Sequence, residues 1–143
     1  MEPLRYPGSR YRPRIPPDLS ARGERERLSG PGLKAFFNIM TRWKVRDEDA
    51  RTLLGGVSNG PFYELKRNPG RVLEADRLLR ISYLIGIFKA LRILHSEPLA
   101  DEWVRLPNQN PIFAGASPLE YMIRGGLPAI QTVRRLLDAR RAG

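Results

Sequence analysis

The side chains best suited to chemistry in this sequence lie in one short run, SNGPFYELKR, from Ser58 to Arg67. Asn59 and Tyr63 are one helical turn apart, Lys66 and Arg67 follow a turn later, and Phe62 and Leu65 fall on the opposite face. Such a helix turns amide, phenol, hydroxyl and cationic groups outward over an apolar underside. That is the equipment for hydrogen bonding to base edges and for neutralising phosphates. Catalytic chemistry has much less to work with. There is no cysteine, which removes thiolate nucleophiles, disulfides and thiolate metal sites together. The single histidine, His95, leaves any metal site to carboxylates and is expected as a solvated residue near a helix end. No paired carboxylates stand with basic or glycine-loop partners, so neither an enzyme nor a bound cofactor is expected.

Charge supports the polyanion reading. The 143 residues carry a net +10, unevenly spread. Residues 1–29 hold seven arginines against four acids, residues 30–95 twelve basic against six acidic side chains, and residues 96–143 six against five. Nine of the ten net charges therefore precede residue 96, and nucleic acid is the usual partner of such a distribution. The nearly neutral remainder has a different task. Apolar residues make up 41% of the chain, enough for a packed core in a single small domain or two sharing one. The opening MEPLRYPGSRYRPR lacks the apolar stretch of a signal peptide. The longest uncharged apolar run, Ile81–Phe88, is too short to span a bilayer, so a cytoplasmic protein is expected.

The elements that must position these groups read as helices throughout. Residues 1–29, with Pro3, Pro7, Pro13, Pro16 and Pro17 among scattered arginines, read as a flexible basic arm. From Gly30, Leu33, Phe36, Phe37, Met40 and Trp43 recur at helical spacing. A short helix follows, with Asp47, Glu48 and Asp49 in the first turn where the dipole favours them, and Gly55–Gly56 ends it. The next helix restarts on Ser58 or Asn59 as cap, with Pro61 tolerated in its first turn. Two short helices around a glycine turn suggest helix-turn-helix, although LLGGVS has one glycine more than the usual LLGVS form. A long helix from about Glu74 to His95 carries two apolar stripes and must be covered on several sides, with Gly86 as a close-packing point. Beyond it, PNQNP breaks the chain, and Ser117-Pro118-Leu119-Glu120 is a capping box. Gly125–Gly126 closes that helix, and Pro128 opens the last one, with Ile130, Val133, Leu136 and Leu137 inward. It ends in Arg134, Arg135, Arg140 and Arg141, which on their own only satisfy the helix dipole.

This C-terminal stretch resembles the toxin-binding domain of the MbcA/ParS/Xre antitoxins. Trp103, Pro107, Asn108, Gly115, Ser117, Pro118, Leu119, Gly126 and the run Leu137-Asp138-Ala139 follow the family pattern in order. Leu53-Leu54-Gly55 and Arg80-Ile81-Ser82 are similar to its Xre-like helix-turn-helix half. The resemblance implies an all-α fold: an Xre-like helix-turn-helix domain over 30–95 and a toxin-binding domain over 96–143, sharing the long central helix. It also implies a RES-domain toxin that consumes NAD⁺ as partner, its pocket blocked by the antitoxin's C-terminal end. Operator DNA would be bound for autorepression, by a homodimer within a larger hetero-oligomer. The DNA-binding set is Ser58, Asn59, Tyr63, Lys66 and Arg67; the toxin-binding set is Trp103, Pro107, Asn108, Arg134, Arg135, Leu137, Asp138, Arg140, Arg141 and Gly143. In that pocket the Gly143 carboxylate or Asp138 would stand in for phosphate, and the arginines would meet acids on the rim. Two other readings stay open, a helix-turn-helix regulator without a toxin and an RNA-binding protein. The second lacks exposed stacking aromatics, because Phe36, Phe37, Phe62 and Phe88 fall on core faces.

Overall fold

A computed structural model of the chain describes residues 17–142, which are all-helical with no strand among them. The first sixteen residues, the greater part of the expected arm, lie outside the described residues. The first helix, α1 (Arg22–Arg42), begins well before Gly30, so residues 22–29 are helix rather than arm. Local pairs support this extra stretch, with Arg22–Glu26 at 2.9 Å and Arg27–Glu24 at 2.7 Å. A tertiary tie fixes it: buried Ser29 donates its hydroxyl to the Arg25 carbonyl and accepts from the Leu73 amide at 2.8 Å. Docking of that kind outweighs the weak helix propensity of Gly30-Pro31-Gly32, which from sequence looked like a start.

Helices α2 (Asp47–Leu53) and α3 (Asn59–Arg67) are joined by a turn in which Gly55 and Gly56 both have positive φ, 104° and 82°. The Gly56 amide reaches back to the Arg51 carbonyl at 2.9 Å, and the Val57 amide shares that acceptor at 3.2 Å. The doubled glycine is thus a requirement of this turn, since other residues enter the left-handed region only at a cost. Ser58 stands at the N-cap of α3, but its hydroxyl makes no capping bond.

The long helix α4 (Ala75–Leu94) is the centre of the molecule, with Leu84, Ile87 and Leu91 wholly buried. It packs against α1, α5 (Glu97–Glu102) and α6 (Pro118–Ala142), and α6 also packs against α2. One continuous apolar cluster runs from Leu33 on α1 to Leu137 on α6. The expected break falls inside α6, where Gly126 takes φ 68°, ψ −151° and separates two helical stretches. Gly86 is the close-packing point: a Cβ there would run into the guanidinium of Arg134, which lies across it. His95 differs from expectation. It caps α4 half-buried, its Nε2 shielded from solvent and without a hydrogen-bond partner among the described residues.

Candidate functional site

Two surfaces carry the residues singled out from sequence. On α3, Phe62 and Leu65 are buried, and Phe62 meets Phe37 edge-on at 5.5 Å. That anchorage leaves Ser58, Asn59, Tyr63, Lys66 and Arg67 all exposed on one continuous segment. Two of them are engaged across the turn, a feature sequence reasoning missed. The Tyr63 hydroxyl donates to Asp47 Oδ2 at 3.2 Å, and Lys66 Nζ lies 3.3 Å from Asp47 Oδ1. Sequence separations of 16 and 19 residues gave no signal for this, because it depends on how α3 crosses the start of α2. Asn59 and Arg67 remain as outward polar and cationic groups.

The C-terminal set divides between core and solvent. Trp103 is 8% exposed and packs edge-on against Phe113, which in turn meets Tyr121 at 5.2 Å. Leu137 is wholly buried. Both residues of the expected toxin-binding set are thus buried parts of the scaffold in this chain. Asn108 is a turn residue: its Oδ1 accepts from the Asn110 amide at 2.9 Å, and its own amide bonds the Ala116 carbonyl at 3.2 Å. Asn110 repeats the device on the Ile112 amide at 3.1 Å, so the PNQNP segment is held by asparagine side chains. Pro107, beside it, is exposed. Ser117 Oγ accepts from the Glu120 amide at 3.2 Å, which makes the serine half of the expected capping box.

Along the last turns, Arg134 Nε pairs with Asp138 Oδ2 at 2.9 Å, and Arg141 approaches the other carboxylate oxygen at 3.9 Å. Arg134 also lies 3.4 Å from the Ser82 carbonyl on α4. Arg134 therefore ties α6 to α4, and Asp138 is paired within its own helix. Arg135, Arg140 and Arg141 are exposed, and Gly143 lies outside the described residues. At the base of this region Arg92 bridges Glu97 and Asp101, each at 2.9 Å, and stacks over the Phe88 ring at 4.5 Å. The hydrogen bond from Arg92 holds the Glu97 carboxyl below the usual range and raises Arg92 itself. Among the described residues no group of three potential ligands is placed to hold a metal ion, and no helix is long and apolar enough to cross a membrane.

Comparison with known proteins bears on the second surface. Residues 89–143 match the family model described as the antitoxin Xre/MbcA/ParS C-terminal toxin-binding domain. That match begins inside α4 and takes in everything after it. The chain is also 43% identical over 112 residues to the uncharacterized protein y4oB of Sinorhizobium fredii (strain NBRC 101917 / NGR234), spanning 78% of this chain and 84% of that one. No solved structure matches it.

Proposed function

From the premise that this chain belongs to the Xre/MbcA/ParS antitoxin family, we propose that it neutralises a RES-domain, NAD⁺-consuming toxin and represses its own operon. The observation that carries the toxin half is the shape of the last helix. Its core contacts end at Leu137, and the turn beyond it projects Arg140 and Arg141 into solvent. A projecting terminal turn suits insertion into a partner's pocket. A dinucleotide pocket carries positive groups for its phosphates, and in this reading an anionic group of the C-terminal end stands in for them. Arg135, Arg140 and Arg141 then face acids around the pocket mouth.

The operator half rests on α3 and on the charge of the front of the chain. Asn59 and Tyr63 are the groups for base edges, and Lys66 and Arg67 for phosphates. The assembly in this reading is a homodimer inside a larger hetero-oligomer with the toxin, acting in the cytoplasm. The burial of Leu137 fixes where the test must cut. A variant ending at Asp138 removes the projecting turn and keeps the core, whereas a cut before Leu137 removes a core side chain. Toxin from the neighbouring gene should copurify with both forms, because an interface has many contacts. Its NAD⁺ consumption should be suppressed by the full chain and restored with the shortened one. Full inhibition by the shortened form would refute the plug. Absence of any copurifying toxin would favour a stand-alone regulator. Lys66→Ala and Arg67→Ala together should weaken the operator complex in a gel shift, and unchanged binding would remove α3 from the DNA interface.

A further inference from the structure

A cleft of about 390 Å³ lies beside α3, and its charged rim comes from residues that the helix-turn-helix pattern does not include. Arg22 at the start of α1, Arg71 in the α3–α4 connection and Arg77 in the first turns of α4 line it, over Leu65 and Leu73. Glu74 is the one acid among the lining residues. Among the described residues Arg71 and Arg77 pair with no carboxylate, and Arg22 has only the half-exposed Glu26 at 2.9 Å. The floor is rigid, because the Leu73 amide is tied to Ser29 of α1 at 2.8 Å.

Position decides what such a cleft is for. At about 100° per residue, Pro61 and Leu65 on the cleft side of α3 lie one turn apart, and Tyr63 and Lys66 lie on the other flank. That other flank faces Asp47, which already holds both side chains. A duplex meeting the outward face of α3 thus finds Asp47 on one side, exposed Glu64 on the helix itself, and on the other side three guanidiniums against the single carboxylate of Glu74. The geometry points to this cleft as the seat of a phosphodiester of the DNA backbone, with Arg71 and Arg77 as its principal ligands and Arg22 at the mouth. Guanidinium forks suit phosphate oxygens better than ammonium groups do, and a backbone contact of this kind sets the register of α3 without reading sequence.

This assignment rests on the operator reading, and the experiment separates the two. The full chain is titrated by fluorescence anisotropy against a labelled duplex from upstream of its own reading frame, and against a scrambled duplex of equal length, over a KCl series. Arg71→Ala with Arg77→Ala should weaken both duplexes to a similar extent and lower the salt slope by about one unit, for the one phosphate no longer neutralised. Arg71→Lys with Arg77→Lys, which keeps the charge, should restore the slope. A thermal midpoint matching the parent controls for folding; if the alanine pair melts early, Arg71→Gln with Arg77→Gln is read instead. Unchanged affinity and slope, beside a loss in Lys66→Ala with Arg67→Ala, would overturn the cleft and leave the operator reading standing. A loss confined to the upstream duplex would also overturn it, since it would mean base contact. If the parent bound neither duplex, the operator reading itself would fall, and the cleft with it.

Discussion

The outward face of α3 and the end of α6 both present cationic side chains, yet they are built on opposite plans. On α3 the anchors and the presented groups are different residues: Phe62 and Leu65 hold the helix, and Asn59, Tyr63, Lys66 and Arg67 are turned out. On α6 the two roles are intermixed. Leu137 is wholly buried and Arg134 lies across Gly86, while Arg135 and Arg140, one residue from one or the other or a turn beyond, are exposed. A surface of the first kind can be altered without disturbing the fold. A surface of the second kind can be altered only beyond its last core residue.

The largest effect is expected from Leu137→Ala. Truncating a wholly buried leucine costs about 2–5 kcal/mol. Because α6 packs on both α2 and α4, toxin neutralisation and DNA binding should fall together, with a lowered urea midpoint. Loss of neutralisation alone, at parental stability, would show that Leu137 contacts the toxin directly. Next in size is Ser117→Ala, which removes the acceptor of the Glu120 amide and should cost about 1 kcal/mol. Its effect should fall on toxin neutralisation more than on DNA binding, and an equal loss in both assays would mean that the first stretch of α6 is not a separable unit.

Asp47→Asn sharpens the α3 side. It releases Lys66 and Tyr63 and removes a negative charge from beside the outward face of α3. Affinity for duplex DNA should rise by roughly two- to tenfold at low salt, because the pair it removes is exposed and weak. Unaltered affinity would show that Asp47 does not compete for these side chains. The smallest effect belongs to the ionic base of the C-terminal region. Glu97 has its folded value depressed by the Arg92 hydrogen bond, so its contribution is present above its ordinary range and is lost as pH falls through the folded value. Thermal midpoints should therefore show a shallow acid-side decline that Glu97→Gln lacks, the more so as both partners are partly exposed. Identical profiles would show the pair to be energetically silent.

What could be read without coordinates was what depends on neighbours along the chain. The helical periodicity of Leu33 to Trp43, the apolar stripes of α4, the capping serine at 117 and the break at Gly126 all follow from spacings of one or two turns. So does the outward set on α3, because burying Phe62 and Leu65 fixes where the other side chains point. Tertiary structure decided the rest. Ser29 meeting Leu73, 44 residues away, made helix of a glycine- and proline-bearing segment. Packing of the C-terminal helices on one another turned Trp103, against Phe113, and Leu137 into core. Arg22, Arg71 and Arg77 are scattered along the sequence and share a cleft only because α1, the α3–α4 connection and α4 converge. The reason is the same in each case: local spacing fixes which face of a helix is apolar, but only the packing of helices against one another determines which polar groups are brought within reach of each other.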